Sequence, residues 1–189
     1  MPRSRGSEIR RRSRPYDLSM VSQRNTGIPE PSADIRQSED AAHVLRQFRQ
    51  VLNTVKTHFQ QVEKKSGLGG AQVWALSIVQ QRPGVGVNDL SRAMDVHQST
   101  ASNLVKALIA KSLVEVRREG ADRRSVQLYL LPEGARALRK APGPFAGVLP
   151  GALQALDAAT LRRLKKDLAQ LIVVLNADEK GAGIPLGDM

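Results

Sequence analysis

A run of small polar side chains between two apolar periodicities is the part of this sequence best suited to chemistry. Hydroxyl and amide groups follow one another with no acidic residue between, and a lysine comes shortly after: Gln98, Ser99, Thr100, Ser102, Asn103 and Lys106. A DNA major groove about 12 Å wide admits one α-helix, whose amides can pair with adenine. A solvated helix face, the alternative, usually carries more Glu and Lys. The run therefore favours base recognition by Gln98 to Asn103, with Lys106 placed for a phosphate.

A second candidate is a basic loop farther along the chain. It contains four arginines and one aspartate at close spacing: Arg117, Arg118, Asp122, Arg123 and Arg124. An arginine at a loop tip can enter the narrow minor groove, where the negative potential is deepened. We expect Arg124 to do so with its direction fixed by Asp122, and the other three arginines to hold phosphates. Alternatively, Glu119 and Asp122 merely neutralise a surface loop.

Composition supports a polyanionic partner and excludes several classes of site. The 189 residues have a formal net charge of +11, although many proteins are basic only for solubility. The absence of cysteine rules out disulfides and thiolate metal sites. No nucleophile elbow, phosphate loop, zinc motif or carboxylate pair is present, so we expect no enzyme activity, metal or cofactor. No apolar run approaches the length of a membrane helix, and no signal segment follows the Arg-rich start, so we expect a cytoplasmic protein without a membrane partner.

The elements that must position these residues follow from apolar spacing and breakers. Helices are predicted over about residues 38–66, 71–81, 87–94 and 99–111, then from Pro132, and finally after an N-cap at Asp157. Residues 113–118 and 125–131, rich in Val, Leu and Tyr, predict a β-hairpin that carries the basic loop. The polar run thus lies on the second helix of a helix-turn-helix, and the arginines lie on a wing.

The stretch DLSRAMDVHQSTASNLVKALIAKSLVEVRREGADRRSVQLYLLPEGARAL resembles the winged-helix core of the MarR family of bacterial transcriptional regulators. The matching parts are the Leu90–Met94 helix, the polar face, Leu113-Val114-Glu115, Asp122-Arg123-Arg124 and Leu131-Pro132-Glu133-Gly134. With the long flanking helices, the resemblance covers about residues 38–176. Three positions depart from the family pattern. Ser112 replaces a glycine, which predicts a strained left-handed cap, and His97 and Leu131 stand where Ser or Thr caps are usual.

The resemblance implies a mainly α fold with a small β-hairpin wing, in which a winged helix-turn-helix core is flanked by N- and C-terminal dimerisation helices. It also implies a homodimer on a pseudo-palindromic site in double-stranded DNA. Two long apolar stripes favour this dimer; a monomer that folds the stripes on each other is the alternative. Family members commonly respond to small aromatic or anionic effectors, which makes His58 and Trp74 candidate ligand-binding residues. A solvated histidine and a core tryptophan are equally compatible with the sequence.

These predictions divide the chain into segments with different expected roles. We expect a disordered basic arm over residues 1–35, dimerisation helices over 36–66 and 132–178, a DNA-binding lobe over 67–131, and a flexible tail over 179–189. The expected function is a sequence-specific repressor that a small effector releases from DNA. The alternative is an architectural winged-helix protein that binds DNA with little specificity.

Overall fold

A computed structural model describes residues 33–117 and 126–188 of the chain. The helices are α1 (Ala33–Ser66), α2 (Gly70–Gln81), α3 (Val87–Met94), α4 (Gln98–Ala110), α5 (Pro132–Lys140), α6 (Val148–Gln154) and α7 (Ala158–Val174). The strands are β1 (Val85–Gly86), β2 (Val114–Arg117) and β3 (Gln127–Leu130). Two 3₁₀ helices, Glu179–Gly183 and Leu186–Asp188, follow α7. The predicted mainly α fold with a small β wing is confirmed.

The chain divides into two units, residues 1–43 and 44–189, and the core and the candidate site lie in the second. The arm expected over residues 1–35 falls almost entirely outside the described residues. Within the described part of the chain, none of the helices is at once long enough and apolar enough to cross a membrane.

The core forms around α2, which is apolar on nearly all sides. This helix packs against α3, α4, α5 and β3, so its side chains are enclosed from several directions. Leu76 of α2, Leu90 of α3, Leu108 of α4 and Leu128 of β3 are each completely buried. Burial of one such side chain contributes roughly 1.5–3 kcal/mol, so these contacts fix α4 firmly against the lobe.

The wing is a three-stranded antiparallel sheet in the order β1-β3-β2. The predicted hairpin is confirmed, with Val114 opposite Leu130 and Arg117 opposite Gln127. β1, which pairs Val85 with Leu128, was not expected because two residues directly before a helix leave no detectable alternation. Gly84 makes this pairing possible, because it adopts φ 83° and its N–H donates to the Leu128 carbonyl at 2.9 Å.

The bounds of the predicted helices agree with the structure to within about five residues, except that α6 was not predicted because Pro150 and Gly151 indicate an interruption. The cap predictions can be compared one by one. Ser112 has φ 54°, which confirms the left-handed cap at a residue with a Cβ. His97 and Leu131 stand at the N-caps of α4 and α5, and neither side chain caps its helix. Asp157 is a true N-cap, because its Oδ1 accepts from the N–H groups of Ala159 and Thr160 at 2.9 Å. Hydrogen bonds from Thr160, and then from Ala159, hold the pKa of Asp157 below its ordinary value.

The last residues differ from the sequence-based expectation of a flexible tail. Residues 179–188, which we call the C-terminal segment, form two 3₁₀ helices, and the second packs against α2. Gly183 and Pro185 are buried. The Gly- and Pro-rich composition suggested fraying, but the same glycines let the backbone approach other elements closely.

Candidate nucleic-acid interface

Helix α4 has one face in the core and one in solvent, which decides which of its side chains are available. Ala101, Leu104, Val105 and Leu108 are buried. Their spacing of three and four residues places them on one stripe, packed toward α2 and α3. The other side of the helix must therefore face outward.

The predicted recognition residues lie on or beside this outward face. Gln98, Ser99, Asn103 and Lys106 are exposed, whereas Thr100 and Ser102 are half-buried at its margins. The span from Gln98 to Lys106 is about 12 Å along the helix axis, at 1.5 Å per residue. This length is comparable to the width of a major groove. α4 is thus the second helix of a helix-turn-helix, has an outward polar face and carries no acidic side chain in its first turn.

The helix-turn-helix begins with α3, and backbone hydrogen bonds connect the last turn of α3 to the turn that follows it. Asp95 adopts φ 51°, and its N–H bonds to the carbonyls of Ser91 and Arg92. This left-handed residue turns the chain sharply, so that α4 can start only three residues later. On the outer side of α3, Arg92 pairs with Asp89 at 2.8 Å. That ion pair is exposed and contributes little to stability.

Thr100 has a neighbour that the sequence did not indicate. Its Oγ1 donates to the carbonyl of Gly183 at 3.4 Å. A Cβ placed on Gly183 would lie 2.2 Å from Cδ2 of His97, so the C-terminal segment passes directly over that ring. The one sequence signal for this contact is the glycine spacing around Ile184-Pro185, which also fits an unstructured end.

Of the five candidate wing residues, the structure describes only Arg117. Arg118, Asp122, Arg123 and Arg124 lie outside the described residues. Arg117 is exposed on β2, where its Nε donates to Glu115 at 2.7 Å and its guanidinium carbon lies 4.3 Å from the centre of the Tyr129 ring. The Arg117 side chain is therefore held along the sheet surface, and a phosphate would have to compete with Glu115 for it.

The two candidate effector residues do not meet. His58 lines an open cavity of about 390 Å³ beside α1 and α6, and its Nε2 lies 3.0 Å from the Pro144 carbonyl. Because a carbonyl only accepts, that nitrogen carries a proton. Trp74 lines a different cavity of about 590 Å³, together with Phe59, Met94 and the C-terminal segment. His58 and Trp74 thus line separate cavities, and neither of these two cavities contains both candidate ligand-binding residues.

Comparison with known proteins finds similarity over the lobe that carries this candidate interface. Residues 66–125 match the family model of the MarR family. The uncharacterized HTH-type transcriptional regulator YsmB of Bacillus subtilis (strain 168) is 26% identical over 102 residues, which are 54% of this chain and 70% of YsmB.

Among solved structures, the DNA complex of MepR from S. aureus is 18% identical, covers 71% of this chain and 95% of MepR, and has a TM-score of 0.47. BpsR of Bordetella bronchiseptica, whose DNA binding is regulated by 6-hydroxynicotinic acid, is 24% identical. It covers 70% of this chain and 98% of BpsR, with a TM-score of 0.43.

Proposed function

We propose that this chain, whose residues 66–125 match the MarR family model, is a sequence-specific DNA-binding transcriptional regulator. The outward face of α4 carries the proposal, because hydroxyl and amide side chains are exposed there on a helix whose other side is fixed in the core. Gln98, Ser99, Thr100, Ser102 and Asn103 are the proposed base-reading residues. Lys106 and Arg117 are proposed to hold phosphates. Arg118, Asp122, Arg123 and Arg124 complete the proposed contacts from the wing.

A homodimer is part of the proposal, because two helices present apolar side chains that the described residues leave exposed. None of the residues of α7 is buried, and its exposed residues include the large apolar side chains Leu171 and Ile172. On α1, Val51 and Leu52 are about half exposed. A second copy of the chain that covers these faces would present two α4 helices to two half-sites one helical turn, roughly 34–36 Å, apart.

We further propose a repressor that a small aromatic molecule releases from DNA by binding in the Trp74 cavity. Phe59, Trp74 and Met94 supply apolar and aromatic walls. Asp95 is the one ionisable side chain among the described residues that line this cavity, so an anion finds no cation there. Between the aromatic and the anionic effectors predicted from the sequence, the cavity favours the aromatic class.

The test of DNA recognition is a selection of sheared genomic DNA by the purified protein at near-physiological salt, followed by sequencing. We expect a few fragments that share a pseudo-palindrome. Asn103→Ala should weaken binding to them by about 1–3 kcal/mol, while the matched variant Gln80→Ala, an exposed amide on α2, should not. Uniform recovery across the genome would support the architectural alternative, and recovery of nothing would contradict tight sequence-specific binding by the unmodified chain.

The dimer is tested separately by sedimentation. Ile172→Glu places a charge on the apolar stripe of α7 and should shift the protein toward monomer. Gln170→Glu adds the same charge on the opposite side of the same helix and should leave the dimer intact. Equal behaviour of the two variants would contradict a dimer formed through this stripe.

A further inference from the structure

The C-terminal segment joins two places that the proposed function treats separately, namely the start of α4 and the Trp74 cavity. At its first end, Gly183 is buried and its carbonyl accepts from Thr100. A Cβ on Gly183 would lie 2.2 to 2.8 Å from three atoms of the His97 ring. Only a residue without a side chain fits between the backbone and this ring in the observed position.

The second end of the segment is held against the start of α2. A Cβ on Gly187 would lie 3.0 Å from the Ala71 nitrogen and from the Gly70 Cα. These are backbone atoms, which cannot turn aside as the end of a side chain can. Between the two glycines, Ile184 and Leu186 line the cavity that contains Trp74, and Pro185 is buried. The segment is thus packed at three successive points.

This position places the segment against Thr100, which is one of the proposed base-reading residues of α4. In a helix-turn-helix, the N-terminal residues of the second helix approach the base edges, and here the segment touches His97 and Thr100 at that end. Residues 179–188 also contain two acidic residues and one basic residue, whereas the whole chain has a net charge of +11. A net negative segment beside the recognition face repels phosphates as well as occupying space.

We propose that the C-terminal segment is an autoinhibitory element that must leave the start of α4 before the protein binds DNA tightly. The inference rests on the proposed function in one respect, namely that α4 binds DNA. If docked molecules exceed released ones about tenfold, loss of docking raises the apparent DNA affinity about tenfold. Because docking and DNA binding exclude each other, DNA must also release the segment.

Trp74 reports on docking without any label, since it is the only tryptophan in the chain and shares its cavity with Ile184 and Leu186. Release of the segment should shift its emission to the red. The disrupting variant is Gly183→Val combined with Gly187→Val, which replaces both close approaches. The matched control is Gly181→Val, where an added Cβ meets nothing within 4 Å. DNA affinity is measured by the fluorescence anisotropy of a fluorescein-labelled duplex of mixed sequence, long enough to contact both α4 helices of a dimer.

We expect the double variant to show red-shifted emission and to bind the duplex about three to ten times more tightly than the Gly181→Val control. Red-shifted emission with equal or weaker binding would overturn the proposal. Unchanged emission would also overturn it, because the segment would not be docked in solution. If the double variant does not fold, the full chain still gives the answer: adding duplex must red-shift Trp74, and an unchanged spectrum during binding contradicts release. Absence of DNA binding by every variant would instead refute the proposed function.

Discussion

Replacement of Gly134 by alanine is the sharpest test of how the wing is held to the helical lobe. Gly134 is buried in the first turn of α5, directly beneath the end of the sheet. A Cβ there would lie 2.3 Å from the Leu113 carbonyl oxygen and 2.7 Å from Cδ1 of Leu130. The oxygen is a backbone atom, so α5 and β2 must move apart by about 1 Å before an ordinary contact is restored.

The expected cost combines three effects of different sign. Overpacking of this kind costs about 1–3 kcal/mol. The bond from the Leu131 N–H to the same Leu113 oxygen, 3.0 Å long, is stretched by the movement and loses up to about 1 kcal/mol. Alanine regains about 1 kcal/mol of helix propensity over glycine. The variant should therefore unfold about 2 kcal/mol more easily, which corresponds to a melting temperature roughly 4–8 °C lower.

Urea and thermal unfolding, followed by circular dichroism at one fixed protein concentration, measure this difference. Gly151→Ala is the matched control, because this glycine lies in α6 and an added Cβ meets nothing within 4 Å. That variant should be as stable as the original chain or slightly more stable. A Gly134→Ala variant as stable as the Gly151→Ala control would refute the close packing of α5 on the sheet.

Three further predictions address individual side chains. Lys106→Ala should weaken DNA binding and lower the slope of log Kd against log salt by about one per protomer. Lys140→Ala removes an exposed lysine at the end of α5 and should change neither the affinity nor the slope. Equal slopes for the two variants would remove Lys106 from the phosphate contacts. Ser112→Gly should raise the free energy of unfolding by about 1 kcal/mol, because φ 54° suits glycine; a loss of stability in urea would contradict this. Asp157→Ala should lower the melting temperature at neutral pH. Folding lowers the pKa of Asp157, so the stability that its carboxylate contributes is complete above the ordinary carboxyl pKa and disappears as the pH falls through the lowered value. A melting-temperature difference between the variant and the original chain that grows in acid would contradict this prediction.

Six of the seven α-helices among the described residues were predictable from the sequence, because apolar spacing and recognisable ends mark them. α6 was missed because Pro150 and Gly151 indicate an interruption rather than a helix. The bounds of α3 follow from Leu90 and Met94 and the turn after them, and the start of α7 follows from the Asp157 cap. The outward face of α4 followed for the same reason, since buried positions three and four residues apart fix the opposite side.

The parts that escaped prediction depend on contacts between residues far apart in the chain. β1 is only two residues long, and its strand character comes from pairing with Leu128. The distance between His58 and Trp74 depends on how α1 and α2 pack, which no local pattern encodes. The C-terminal segment looked like a frayed end because glycine and proline have the same composition signature in a loose tail and in a tightly docked one. The two cases differ only in whether surfaces elsewhere in the chain receive the glycines, as the His97 ring receives Gly183 and the Gly70 backbone receives Gly187.

The proposed effector site and the proposed autoinhibitory element share a wall, and this determines the sign of any effect between them. Ile184 and Leu186 contribute to the Trp74 cavity only while the C-terminal segment is docked. An aromatic molecule in the cavity therefore gains contacts in the docked state that the released state lacks. Such a molecule therefore favours docking and weakens DNA binding. By linkage, bound DNA lowers the affinity for the molecule by the same factor by which the molecule lowers the affinity for DNA. Release from DNA then needs no movement of one α4 helix relative to the other, because the effector acts through the C-terminal segment, which contacts His97 and Thr100 at the start of α4.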